Sequence, residues 1–184
     1  VSNDMDLECS SVVSEEQLKH IFKADFPLKN FREIRIVDNN TLKVLEASVF
    51  HGISFEIIYI IHNNLEVIES QALNSCYENA TEIVVSYNKI TSFSFDELSQ
   101  YPKLSHFGIS SNSLNVIPAD AFHGLTALEH LYISDNNADI VGSFQELPNL
   151  HDIRLDHNNI TIIPSQFIKM AALISVTLLC LTIT

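Results

Sequence analysis

The sequence predicts an α/β solenoid in which about seven short parallel strands line the concave face of a horseshoe. Three observations carry this. An apolar pattern returns about every 24 residues, and a period of that size belongs to stacked repeat units. Within each unit two apolar residues flank a single other residue, which puts both on one face of a short strand. An Asn follows at a fixed place in six of seven copies.

The clearest copy is Leu104, Phe107, Ile109, Asn112 and Leu114, followed by Ile117-Pro118 and Phe122. Ahead of it stand Phe31, Ile34, Ile36, Asn39; Phe55, Ile58, Ile60, Asn63; and Ala80, Ile83, Val85, Asn88. Behind it stand Leu128, Leu131, Ile133, Asn136; Leu150, Ile153, Leu155, Asn158; and Leu173, Val176, Leu178, where Leu181 takes the Asn place. This is the leucine-rich-repeat pattern, L-x-x-L-x-L-x-x-N-x-L with L any apolar residue. Asn39, Asn63, Asn88, Asn112, Asn136 and Asn158 are expected to form a structural ladder, because an amide side chain both donates and accepts where each strand turns inward. A second apolar column, Phe50, Leu73, Leu98, Phe122, Phe144 and Phe167, is expected to stack beneath the convex side. One repeat cannot bury its apolar face alone, so stability comes from neighbours and from the ends.

Residues 1–30 lack the pattern and read as an incomplete N-terminal cap; 31–184 read as repeats, the last one truncated. In the cap, Ser14-Glu15-Glu16-Gln17 is a capping box opening a short helix with Leu18, Ile21 and Phe22 on its apolar stripe. From Met170 to Thr184 no residue is charged. A repeat cut short fits the register best, with a membrane-related tail as the alternative, since fifteen residues fall short of a bilayer of about 30 Å. Cys9, Cys76 and Cys180 are an odd number, which implies truncation of a disulfide-bearing chain or, alternatively, unrelated reduced thiols. Cys76, on the convex path, is expected to be structural rather than reactive.

The formal charge of -13 repels phosphate backbones, so nucleic acid is not expected as a partner. No Ser-His-Asp order, Gly-rich phosphate loop or paired-Cys motif occurs, and neither an enzyme activity nor a cofactor is expected. What the pattern offers is a face. Residues between the apolar strand positions form columns: Glu33, Ile57, Glu82, His106, His130, Asp152; a central one of Arg35, Tyr59, Val84, Gly108, Tyr132, Arg154; and Asp38, His62, Tyr87, Ser111, Asp135, His157. Tyr59, Tyr87, Tyr132, His106, His130 and Arg154 are the candidate partner-binding residues, because aromatics amid polar groups are typical of interface cores. Ordinary strand residues with no partner are the competing reading. His106, His130 and Asp152 could hold a divalent ion, but their spacing fits no dense metal motif, and a solvated recognition face is the stronger reading. Of the sequons, Asn39 sits in the ladder, whereas Asn79 and Asn159 are candidate glycosylation sites in a secreted chain.

The stretches Asp6-Leu7-Glu8-Cys9, Ser14 to Leu18, Phe22-Lys23-Ala24-Asp25-Phe26-Pro27, Asn30-Phe31-Arg32, Leu42 to Leu45, Phe55-Glu56, Ile58-Tyr59-Ile60, Asn64-Leu65-Glu66 and Pro118 to Phe122 carry a further likeness. Over roughly residues 6–130 the chain resembles an arthropod family, the non-catalytic leucine-rich-repeat subunits of oplophorus-luciferin 2-monooxygenase. The resemblance implies a secreted, disulfide-capped solenoid that accompanies a separate catalytic subunit, and it transfers no catalytic residues. The upstream cap cysteines are missing here, and the implied partner of Cys9 would lie before Val1. The expected function is therefore a non-enzymatic, extracellular protein-binding or scaffold role, with another protein on the concave face and membrane contact only through the C-terminal apolar tail. A cell-surface receptor or adhesion ectodomain of the Toll-like kind is the alternative.

Overall fold

The computed structural model describes residues 5–140, 147–160 and the strand at 175–177. Its main element is an eight-stranded, wholly parallel sheet ordered β1-β2-β4-β6-β7-β9-β11-β12. These strands are Asp6–Glu8, Asn30–Val37, Ser54–Ile61, Glu82–Val84, His106–Gly108, His130–Tyr132, Asp152–Arg154 and Ser175–Thr177. The seven from β2 onward match the seven repeats. Strand β1 is an addition that the missing repeat pattern does not announce: Leu7 pairs with Ile34, and the Cys9 N–H donates to Arg35 O at 2.8 Å.

The parallel register aligns equivalent residues of successive repeats. Ile34, Ile58, Ile83, Phe107, Leu131 and Ile153 form one inward column, each at most 1% exposed. Ile36, Ile60, Val85, Ile109, Ile133 and Leu155 lie beneath it and are also buried. On the far side Phe50, Leu73, Leu98 and Phe122 close the core, while Phe144 and Phe167 lie outside the described residues. Among the described residues the opposite side carries two-residue strands, β3 (Val44–Leu45) with β5 (Val67–Ile68) and β8 (Val116–Ile117) with β10 (Asp139–Ile140), and 3₁₀ turns at Asn74–Cys76 and Phe95–Gln100.

The Asn ladder joins each repeat to the one before it. Asn63, Asn88, Asn112, Asn136 and Asn158 donate through Nδ2 to the carbonyls of Ile36, Ile60, Val85, Ile109 and Ile133 at 2.8–3.0 Å. Their Oδ1 atoms accept from N–H groups of that preceding repeat, as Asn136 does from Leu114 at 3.1 Å. Asn39 has no repeat before it and serves the cap instead, donating to Ser10 O and Val12 O at 2.9 and 2.6 Å.

The residue before each ladder Asn departs from the expected strand geometry. Asp38, His62, Tyr87, Ser111, Asp135 and His157 all have φ between 54° and 57°, a left-handed conformation that ordinary residues adopt at a cost of about 1–2 kcal/mol. The turn into the ladder requires it. The third column of the sequence analysis therefore lies on corners beyond the strands, not on the sheet.

In the cap, helix α1 (Glu15–Phe22) is opened by Ser14, whose side chain accepts from Gln17 N at 3.1 Å. The reciprocal bond of the capping box is shifted by one residue, Gln17 Oε1 accepting from Val13 N at 2.7 Å. Leu18 and Phe22 face the core, where Phe22 meets the Phe50 and Phe55 rings edge-on at 5.0 and 6.1 Å. Among the described residues no helix is long and apolar enough to cross a membrane. The uncharged 170–184 stretch lies outside the described residues except for β12, which pairs with β11 in the register of a further repeat.

Candidate functional site

The solvent face of the sheet holds two of the expected columns in register. One runs Glu33, Ile57, Glu82, His106, His130, Asp152 and the other Arg35, Tyr59, Val84, Gly108, Tyr132, Arg154. Period-two alternation forces this, since the neighbours of each column point into the core.

The central column has matching ends. Arg35 lies over the Tyr59 ring at 5.5 Å, and Arg154 over the Tyr132 ring at 4.5 Å, both within cation–π range. Each phenol donates to a carboxylate of the next repeat, Tyr59 to Glu82 at 2.9 Å and Tyr132 to Asp152 at 2.7 Å. Burial first, and then those carboxylate bonds, push both phenols up to about 12. They stay protonated donors throughout the physiological range. Between the two clamps the column drops to Val84 and Gly108, where a Cβ on Gly108 would come within 3.2 Å of Val84 Cγ1. A low apolar step thus separates two rigid aromatic–cation posts.

Beside the second post the face is rich in imidazole. His106 and His130 stack at 3.8 Å with their planes 18° apart, and His151 meets His130 at 4.6 Å and 63°. Burial, and then the neighbouring His130, hold His106 below its ordinary pKa. Asp152 receives the Tyr132 hydroxyl and lies 3.6 Å from His130 Nδ1 and 3.9 Å from Arg154. Its other oxygen, Oδ1, is buried without a hydrogen-bond partner among the described residues, an arrangement that normally signals a missing donor or cation.

The structure thus brings together Tyr59, His106, His130, Tyr132 and Arg154. Tyr87 stands apart on a left-handed corner, 51% exposed, with its ring stacked on His62 at 4.2 Å. The trio His106, His130 and Asp152 does assemble. However, the parallel stack of the two imidazoles sends their in-plane lone pairs side by side, which suits recognition better than shared ligation. His151 and Glu129, absent from the sequence-based candidates, complete the cluster. Both precede their strands, so strand alternation does not select them.

The remaining candidates divide by environment. Asn159 is exposed, whereas Asn79 is half-buried and donates through Nδ2 to Ser54 at 2.9 Å. Cys9 and Cys76 are buried free thiols whose pKa values burial raises to about 11. Cys180 lies outside the described residues.

Residues 78–138 and 102–160 match the leucine rich repeat family. The fold is that of a leucine-rich-repeat protein. It is 30% identical to the oplophorus-luciferin 2-monooxygenase non-catalytic subunit of Oplophorus gracilirostris, over 90% of this chain and 53% of that protein. It is 28% identical to osteomodulin of Bos taurus, over 66% of this chain and 29% of that protein. The leucine-rich-repeat chain therefore spans about half, or less, of the length of these relatives. Among solved structures it superposes on an internalin of Listeria monocytogenes with a TM-score of 0.65 at 16% identity, covering 93% of this chain and 46% of the other. A leucine-rich-repeat protein of Leptospira interrogans gives 0.63 at 17%, covering 90% and 45%. Internalin C2 of Listeria monocytogenes gives 0.61 at 18%, covering 91% and 76%. At such identities these structures establish the solenoid alone. Fold and relative together point to a non-enzymatic protein.

Proposed function

We propose that this leucine-rich-repeat protein is an extracellular, non-enzymatic accessory subunit that docks another protein across the concave face, from Arg35 to Arg154. The observation that carries the reading is the pair of Tyr–Arg–carboxylate clamps flanking the Val84–Gly108 step. Tyr and Arg are the residues most enriched at binding hot spots, and side chains already held in place lose little entropy on association. Tyr59 and Tyr132 lie three strand spacings apart, about 14 Å, a span suited to a protein segment rather than a small molecule. His106 and His130 widen the same patch, and Tyr87 with His62 gives a secondary contact at its rim. The accessory role comes from the likeness to a non-catalytic subunit. A secreted chain would carry its glycan on exposed Asn159 in preference to Asn79, whose amide nitrogen already holds Ser54.

The test is capture of partners from the source secretions, followed by reconstitution with the purified captured protein. Tyr59→Ala with Tyr132→Ala is expected to weaken the complex by about 100-fold, as loss of two hot-spot residues would, while Gln100→Ala, on the opposite side, leaves it unchanged. Equal affinity of the native chain and the double variant would refute the docking face.

A further inference from the structure

The imidazole cluster at the rim of the sheet shares His130 with the docking patch but adds Glu129 and His151, which docking does not use. We propose that Glu129, His130 and His151 form a binding site for a divalent transition-metal ion of the zinc class. One ligand atom from each residue lies within 4.8 Å of the other two. Donors on one tetrahedral ion at Zn–N of about 2.0–2.1 Å sit about 3.3–3.5 Å apart, so closure requires only a small movement. Glu129 is exposed and His151 half-buried, so the movement falls chiefly to the Glu129 side chain.

The hydrogen bonds around the two rings favour ligation. Tyr132 donates to Asp152, so its oxygen is an acceptor for His130 Nδ1–H at 3.2 Å. His151 Nδ1 faces the carbonyl of Asn149 at 3.1 Å, where it donates. With both Nδ1 atoms protonated and engaged, Nε2 of each ring carries the free lone pair. Ligating histidines are ordinarily held in this way, by a carboxylate or a backbone carbonyl on the opposite nitrogen. The 63° angle between the two rings allows their lone pairs to converge. The 18° stack of His106 on His130 does not, so His106 shields one face of His130 and does not ligate. Asp152 supplies an independent sign: its Oδ2 lies 3.6 Å from His130 Nδ1 and its Oδ1 is buried with no hydrogen-bond partner among the described residues, and a cation on that imidazole would offset the carboxylate's charge. Three protein ligands leave at least one coordination position open toward solvent.

This inference does not rest on the docking reading, because it concerns ion binding by the free chain. The experiment is calorimetric titration of the metal-stripped full chain with Zn²⁺, paired with absorption spectra after Co²⁺ addition. The expected result is one Zn²⁺ per chain and visible Co²⁺ bands. His151→Ala should weaken binding on the order of 100-fold by removing a ligand. Tyr132→Phe should cost about 10–100-fold through the His130 tautomer, and His20→Ala, a remote exposed imidazole, should change nothing. Far-UV circular dichroism confirms that each variant is folded, and because His151 is half-buried and outside the buried apolar core its substitution leaves that core intact. Failure of the native chain to bind one equivalent would overturn the proposal. Unaltered affinity in folded His151→Ala would do the same.

Discussion

Replacing Asn88 by Ala tests the ladder, because it removes one bridge and nothing of the strands. Asn88 Nδ2 donates to Ile60 O at 2.8 Å and to Val85 O and Ser86 O at 3.1 Å, and its Oδ1 accepts from Leu65 N at 3.3 Å. Val85 O and Ser86 O keep other donors, Asn112 Nδ2 at 3.0 Å and His62 N at 3.2 Å. The lasting losses are at Ile60 and Leu65, which are 0% and 1% exposed. Each buried group stripped of its partner costs about 1–3 kcal/mol, so with two of them the variant should lose about 2–6 kcal/mol in urea unfolding followed by circular dichroism. Adjacent Lys89→Ala, exposed, should stay within about 0.5 kcal/mol of native. Asn88→Asp sharpens the test, since it sets a carboxylate against three carbonyl oxygens and should cost more than Ala at neutral pH. Its folded-state pKa would be raised, so stability present below the unfolded carboxyl value is lost as pH rises through the folded one. Acidification should therefore bring Asp back toward Ala. An Asn88→Ala chain within about 0.5 kcal/mol of native, with an unchanged denaturant slope, would refute the account of the ladder.

Phe55, fully buried and in contact with the rings of Phe22, Phe31 and Phe50, should cost about 3–5 kcal/mol as Phe55→Ala, read by the same unfolding assay. Ser14→Ala removes the bond from Gln17 N and should cost about 0.5–2 kcal/mol, read by the same unfolding assay. His106 is held below its ordinary value of 6.5, so the unfolded chain takes up the proton more readily and stability should fall as pH drops below about 6.5; a His106→Gln chain with the same acid slope would contradict this. With pKa values raised to about 11, Cys9 and Cys76 carry about one part in a thousand of thiolate at pH 8, and native-state alkylation followed by peptide mass spectrometry should find both protected until denaturant is added.

The core was legible because it obeys two periods at once. Alternation of two along each strand and about 24 between strands predicts Ile34, Ile58, Ile83, Phe107, Leu131 and Ile153 as one buried column, which is what the register gives. Strand β1 escaped because one inward residue, Leu7, has no period of its own. The corner column escaped for a different reason. A φ near 55° is signalled by Gly or Asn, but His62, Tyr87 and Ser111 adopt it under tertiary constraint, so counting positions put them on the sheet. Glu129 and His151 lie where the chain enters a strand, and nothing in an apolar pattern distinguishes a lead-in residue that reaches the face from one that does not.

The same register explains why no local motif marks this face. Tyr59 and Glu82 are 23 residues apart, and Tyr132 and Asp152 are 20 apart, yet each pair lies on adjacent strands. In a solenoid the chemical neighbour of a surface residue is one period away in sequence. A constellation such as Tyr132, His130, Asp152 and Arg154 is therefore assembled from two repeats, neither of which contains it. Substituting one member should accordingly disturb residues one repeat away while leaving its immediate chain neighbours, which point into the core, untouched. Recognition on this face is thus a property of repeat order, and moving one repeat within the stack would abolish a clamp without altering the composition of any strand.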